Sequence, residues 1–593
     1  MRSNREQQVR RFITPYPQGQ AALVATIFLF LIGTAIVSTW STISIATIKT
    51  IAALPNSLQS YYVAESGIED SLLRLTNSNY AFAANNTITI GESSTTVSIN
   101  QGSQGATVTS TGMDSTLVRK VVVALETNTV GASFSYGIQV GSGGLTMRDN
   151  SVINGNVYSN GSVVGQNHAT VTGDVIVASG VPSEPDSEYT YANADHSFAL
   201  ASTNKAAAQS FRPLATGPVT QVAVNIAKVG TPNDNLRVRI VSDNGNKPSG
   251  TTLTQASIPA SVVGTVSSWI NIGFSDTPTL TAGTRYWVDV DSGTSHPNSY
   301  WKWRKDTGDT YASETAMSAS GCCSGSTNWS NLNADLDFKV WVGGTPTRIE
   351  GMTIGDTTAG SGRANVFVDS TIHGSPCPNS YCIIDSPAPS TMPLSGGSID
   401  AFLDQAAQGD ICAPPICNSN GDLIRTGKGS SATIGPMVIN GDLKLFDYSS
   451  LILTGTVRVM GNIDFNNHCT VTLDESYGSG DGVIVADGWI NVANNCSFAG
   501  SGQIGSYPLV LSMYPDGEDR PAIDLNNHAD GVVFYASEGT IEISNNSTVN
   551  SLVGYAISIK NNATITYDSG LLDMSFESGP TGGFTISSWK EEQ

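Results

Sequence analysis

The stretch IDFNNHC (463–469) returns, slightly altered, as INVANNC (490–496), IDLNNHA (523–529), IEISNNS (541–547) and ISIKNNA (557–563). Each copy is a short strand of alternating apolar and polar residues that ends in an Asn-Asn or Asn-His pair. Alternation puts every second side chain on one face. Asn tolerates the left-handed backbone that a sharp corner needs. The start-to-start spacing of 16 to 33 residues fits turns of chain carrying loops of different size. Related copies occur earlier, as SVINGNV (151–157), ATVTGDV (169–175) and VINGDL (438–443), with Gly155 and Gly173 18 residues apart. No single copy can bury its apolar face alone, whereas stacked copies share one core. The predicted fold class is therefore mostly β, a parallel β-helix or similar solenoid with Asn side chains stacked as a hydrogen-bonded ladder. Cys469 and Cys496 hold equivalent places in consecutive copies. Successive turns lie about 4.8 Å apart, so the two are predicted neighbours, as an apolar pair or a disulfide. His168, His468 and His528 fall at corners and read as polar turn residues. No metal site is expected there, since no carboxylates converge on them.

Residues 187–345 break the repeat and read as an inserted antiparallel β-sandwich, rich in short strands and in Trp. Trp side chains there have two readings, sandwich core or exposed platforms on which sugar faces stack. Tyr300, Trp301, Trp303 and Trp329 are the carbohydrate-binding candidates, because NSYWKWRKD and STNWSN are polar surroundings. Asp243, Asn244 and Asn246 in SDNGNKPSG offer either a turn or a calcium loop, and the turn is the simpler reading. SIDAFLDQAAQ (398–408) is predicted to form one short helix that covers or caps the solenoid.

The composition agrees with many turns and strands. Charged residues make up 13% of the 593, against roughly 25% in ordinary domains, and Gly numbers 60. A net charge of −21 argues against nucleic acid as a partner, because phosphate binding needs a basic surface. The first 19 residues reverse that sign, with Arg2, Arg5, Arg10 and Arg11 against Glu6. Residues 21–48 then carry no charge, and about 20 apolar residues suffice to span a bilayer. Positive charge before the span predicts a cytoplasmic N-terminus and export of the rest.

After Pro55, where a kink or break is predicted, the pattern becomes amphipathic, with Tyr62, Val63, Ile68, Leu72 and Leu75 at helical spacing. The segment Ala64-Glu65-Ser66-Gly67-Ile68-Glu69, placed after a basic leader and an apolar helix, resembles the minor pilins of the PilX type. The resemblance covers about residues 15–126. It implies cleavage by a prepilin peptidase between Gly19 and Gln20, and assembly of the helix with other pilin-like subunits. Major pilins carry Glu at the fifth mature position, whereas this sequence has Val24. In that family, subunits lacking this Glu tend to start or cap the filament. Residues 79–126 read as a small antiparallel sheet packed on the helix. The inserted sandwich resembles the jelly-roll modules of bacterial surface proteins, through Thr284, Tyr286 and Trp287 and its strand pattern.

Eight cysteines in an exported chain suit disulfides. Cys377 with Cys382 and Cys412 with Cys417 are spaced as C-x4-C, and Cys322 adjoins Cys323. The C-x4-C segments are Pro-rich and have no His at ligand spacing, which favours loop disulfides over zinc. Pairing across the two segments is the alternative. The organisation read from the sequence is a leader at 1–19, a helix at 20–78 and a small sheet at 79–130. A first solenoid part at 131–186, the sandwich at 187–345 and a second solenoid part at 346–593 follow. No Asp/Glu cluster tied to Arg or Lys on adjacent repeats is read from the sequence, and G-x-S-x-G, H-E-x-x-H and phosphate-loop motifs are absent from it, so no catalytic residue, metal or cofactor is expected. The expected function is that of a non-enzymatic, membrane-anchored cell-surface subunit near the tip of a pilus-like filament. The alternative is an anchored surface β-helix that scaffolds, binds or acts on surface polysaccharide.

Overall fold

The computed structural model describes residues 18–76, 85–102, 105–127, 130–131, 134–321, 328–516, 520–576 and 584–592. The protein is mostly β, with one long N-terminal helix and several sheets. It divides into two compact units, Met1–Asn128 with Pro580–Gln593, and Thr129–Gly579.

In the first unit, helix α1 (Gln18–Thr76) runs for 59 residues. The predicted break at Pro55 does not occur, and the helix continues through it. A proline interior to a helix removes one backbone hydrogen bond. Here contacts on the far side hold the next turns: Arg119 Nε donates to Ser57 Oγ at 2.9 Å and Ser60 Oγ donates to Leu117 O at 2.9 Å. The C-terminal part of α1 buries Ala64 and Ile68, with Tyr61 and Leu72, against Val97, Val108, Val121 and Val123 of an antiparallel sheet. That sheet runs Asn85–Ile90, Ser93–Gly102, Gly105–Asp114 and Leu117–Thr127 in order. Gly67 and Gly112 set the close approach, since a Cβ on Gly67 would meet Ser110 Oγ at 2.3 Å and one on Gly112 would meet Ser60 O at 2.1 Å.

The last strand corrects the domain reading. Residues 346–593 do not all belong to the repeat region, because Phe584–Glu592 pairs antiparallel with Leu117–Thr127. An open ladder edge invites a partner. Arg119–Glu591 at 2.8 Å and Lys120–Glu592 at 2.6 Å match charge across this one.

In the second unit the repeats form three parallel ladders among the described residues, each strand pairing with the equivalent strand of the next turn. The ladder through the quoted repeats runs Leu423–Thr426, Leu443–Phe446, Ile463–Asn466, Ile490–Ala493 and Ile523–Asn526, then residues 541–543 and 557–559. Its next member is 145–147, followed by Val163–Gly165, Arg348–Glu350 and Val366–Val368. Spatial order is thus not chain order: turns from 410–566 stack first, and those from 138–177 continue them. The segment 386–409 makes this possible by running back along the stack. It is tied by Asn160 Nδ2 to Ser390 O at 2.8 Å, Gln139 Nε2 to Thr391 O at 2.7 Å, Tyr535 Oη to Leu394 O at 3.0 Å and Thr456 Oγ1 to Gln405 Oε1 at 2.6 Å. Helix α2 (Gly396–Ala407) lies in this segment, capped by Ser395 and anchored by the fully buried Phe402.

The corners repeat a two-residue left-handed conformation. Asn467/His468, Asn494/Asn495, Asn527/His528, Asn545/Asn546 and Asn561/Asn562 all have φ between 53° and 65°. Their side chains link turn to turn, with Asn527 Nδ2 donating to Asn494 Oδ1 at 3.0 Å, Asn545 to Asn527 at 3.1 Å and Asn561 to Asn545 at 2.8 Å. Inside, Phe465, Phe498 and Phe534, one from each ladder, meet tilted and edge-on with ring centroids 5.8 and 5.5 Å apart.

The insertion leaves the stack after Val175–Val177 and returns at Arg348–Glu350. It consists of two antiparallel sheets among the described residues. One runs Ser187–Tyr189, Phe338–Val342, Gly217–Val229, Tyr300–Asp306, Ala194–Phe198, and the other Pro248–Ile258, Leu236–Asp243, Tyr286–Ser292, Ala206–Phe211, Ala316–Ala319, Ser330–Asn331. Phe198, Ile226, Trp303 and Phe338 of the first face Phe211, Ile240 and Val288 of the second in one apolar core.

Candidate functional site

The aromatic platform expected in the sandwich is not on its surface. Trp301 and Trp303 lie on one face of the strand Tyr300–Asp306, and that face is the core. Both are fully buried, and Trp303 Nε1 donates to Asp337 O at 2.7 Å. The strand is central, paired on both sides, so its inward residues have nowhere else to go. Trp329 is also buried, in a small cluster with Trp287, Val241 and Met317 on the outer face of the second sheet. Tyr300 alone of the four is half-exposed. Trp301, Trp303 and Trp329 thus present no open ring face on which a sugar could stack. Asp243 serves a turn, accepting Trp287 Nε1 at 2.8 Å and the Asn246 backbone N–H at 3.1 Å.

Beside Trp287 and Trp329 the second sheet carries a buried ionic network. Arg239 Nη1 contacts Asp289 at 3.0 Å and Asp291 at 2.8 Å, and Arg237 forks onto Asp291 at 2.7 and 3.1 Å. Burial, reinforced by the neighbouring Asp291 charge, pushes the Asp289 carboxyl up to about 8.

The cysteines mark the stack. Cys412–Cys417 pair where the ladders begin and Cys377–Cys382 where they end, while Cys469–Cys496 joins consecutive turns in between. Cys322 and Cys323 lie outside the described residues. At the corners, His468 stacks on Tyr448 with centroids 4.5 Å apart. No cluster of metal-ligating side chains occurs among the described residues.

Along α1, Gly19 and Gln20, where leader cleavage is expected, lie in the first turn. Val24 is exposed, as are Phe28, Phe30 and Trp40, so the N-terminal part presents apolar side chains on every face. Glu65 is half-buried and accepts Tyr61 Oη at 3.1 Å, and Glu69 is exposed. One stretch of α1 is long and apolar enough to cross a membrane.

A second site corrects the reading that no Asp/Glu cluster tied to Arg or Lys lies on adjacent repeats, because Asp464 and Asp524 share one outward row beside Arg520. Trp489 precedes the repeat INVANNC and sits outside the stacked core, half-exposed. It borders a cavity of about 360 Å³ with Asp464, Asn491 and Asp524, and with Asn466, Arg520 and Pro521. Asp464, Asn491 and Asp524 are register partners in three consecutive turns. Asn491 Nδ2 donates to Asp464 Oδ1 at 2.8 Å, and the Arg520 guanidinium lies 4.3 Å from the Trp489 ring centre. Burial pushes the Asp524 carboxyl above its ordinary value. The signal was the second residue of each copy, Asp, Asn and Asp, which alternation sends outward in one row.

No protein-family model matches the chain, and no curated protein matches it. Among solved structures, the chain is similar to the competence-associated pilin ComZ from Thermus thermophilus at 11% identity, over 91% of this chain and 97% of that one, with a TM-score of 0.22.

Proposed function

We propose that the protein is a non-enzymatic, pilin-like surface subunit, exported and anchored by α1. The observation that carries this reading is the two-part use of one helix. Its C-terminal part is packed into an antiparallel sheet through Gly67 and Gly112, while its N-terminal part exposes Leu23, Phe28, Leu29, Phe30 and Trp40 with no partner among the described residues of the first unit. So much apolar surface is unstable in water and needs a bilayer or a bundle of like helices. A helix that first waits in the membrane and then joins other pilin-like subunits meets both needs. Val24 brings no carboxylate into that bundle, where a buried charge would require a partner, and this supports a place at the filament tip. The three parallel ladders support reading the repeat region as a parallel β-helix, a rigid arm bearing the jelly-roll-like insertion for adhesion or assembly.

Co-expression with a prepilin peptidase, followed by mass spectrometry of the mature N-terminus, tests the reading. A chain beginning at Gln20 is expected. A chain that still begins at Met1 overturns it and leaves a permanently anchored surface protein. Immunogold labelling of filaments then tests position, with label at the ends expected and label along the shaft opposing the tip role.

A further inference from the structure

We infer that the cavity beside Trp489 is a binding groove for a neutral or N-acetylated oligosaccharide. This does not rest on the pilin-like reading, since it concerns only the lateral face of the stack.

The groove is built by the repeat itself. Outward positions in a parallel ladder align in rows about 4.8 Å apart. Asp464, Asn491 and Asp524 form such a row, so the two carboxylates stand roughly 10 Å apart with an amide between them. Glu542 continues the row and is held by Lys560 at 3.0 Å. Among the described residues, no hydrogen bond engages Asp464 Oδ2, the Asn491 carbonyl oxygen or the Trp489 indole N–H. These groups, with Asp524, border the cavity as acceptors and a donor. Trp489 and Pro521 supply the apolar wall.

The chemistry selects among ligands. A wholly apolar molecule would strip water from two carboxylates without replacing their hydrogen bonds. An anion would meet Asp464 and Asp524 against the single Arg520, a local balance of −1 on a chain of −21. A cation would find Arg520 already stacked on the indole, so that cation–π site is taken. A saccharide offers adjacent hydroxyls that donate to carboxylate and amide oxygens, ring oxygens that accept from indole and guanidinium, and a C–H face for the aromatic wall. The repeated row suits a ligand that also repeats.

The test uses the full chain in detergent. Trp fluorescence and calorimetry are followed on titration with cellohexaose, mannohexaose and chitohexaose, and with hexagalacturonate as the acidic counterpart. At least one of the first three is expected to bind at millimolar concentration or below and to perturb the fluorescence. Trp489→Ala should then weaken that binding by about tenfold or more. The shape-preserving Asp464→Asn and Asp524→Asn variants should weaken it as well, which guards against misfolding of the Trp variant. Trp269→Ala, which alters a half-exposed indole of the sandwich, should leave binding unchanged. The inference is overturned if no neutral or N-acetylated hexasaccharide binds, if binding survives Trp489→Ala and both Asn variants unaltered, or if hexagalacturonate binds as well as the others.

Discussion

In the stack, an inward or corner residue meets its own counterpart from the next turn. Phe465 pairs in register with Val492 and Val492 with Leu525, and Asn527 meets Asn545. In the sandwich, the residues that matter most meet unlike partners far away in sequence, as Arg239 meets Asp289 and Asp291 some 50 residues on. The first arrangement spreads stability over many similar nearest-neighbour contacts. The second concentrates it in a few groups that have no substitute. Damage should therefore stay local in the stack and be shared across the whole sandwich.

The largest effect should come from the sandwich network. Arg239→Met removes a cation from the buried Asp291 carboxylate and the hydrogen-bond partner of the Asp289 carboxyl, and should cost about 3–5 kcal/mol. Hydrogen exchange on the full chain checks both halves of the comparison: protection should fall across both sandwich sheets and hold in the strands 463–466 and 490–493. The same network should make the sandwich pH-sensitive. Asp289 is raised in the fold from 3.8 to about 8, so its contribution is fully present below pH 3.8 and is lost as pH rises through about 8. Wild-type stability relative to Asp289→Asn should decline over that window. A flat difference in thermal unfolding would mean that the carboxylate is solvated or paired in full.

In the stack, the corresponding break is the Cys469–Cys496 link, which spans 27 residues. Replacing both by Ala should cost about 3–4 kcal/mol on the chain-entropy account, against about 2 for the shorter Cys412–Cys417 loop. Exchange should rise in the turns on either side of residue 496 and not in the sandwich. Loss of protection throughout both regions would show that the unit unfolds as one body and that the comparison fails.

Much of this organisation was legible because it is local. Period-two alternation with Asn-Asn endings gave the strands and corners, and an uncharged run gave α1. What escaped depends on which neighbour a strand chooses. Alternation says which face of ISIKNNA points inward, but nothing in 557–563 says that 145–147 lies beside it. Nor does FTISSWKEE announce that it will pair with Leu117–Thr127 rather than with a repeat. Polar neighbours in NSYWKWRKD pointed to an exposed Trp301 and Trp303, yet the polar residues alternate with them and take the outer face. Conversely Trp489, in the plain context DGWIN, lies outside the core beside a row of polar residues from other turns. A single copy cannot show that row.

The smallest expected effect separates the two regions most cleanly. Asn527 and Asn545 are joined by a side-chain hydrogen bond of 3.1 Å, and Asn545 and Asn561 by one of 2.8 Å, whereas Asn527 and Asn561 lie two turns apart. Single Asn→Gly changes at these corners keep the left-handed backbone accessible and remove only the side chain, each at about 0.5–1.5 kcal/mol. If stability is nearest-neighbour, the double variant Asn527→Gly/Asn545→Gly should show a coupling of about 0.5 kcal/mol or more, and Asn527→Gly/Asn561→Gly should be additive within about 0.3–0.5 kcal/mol. Denaturant unfolding of the full chain at matched pH measures both. Equal coupling in the two pairs would mean that the ladder acts as one cooperative strip, and the stack would then resemble the sandwich in the property that was thought to divide them.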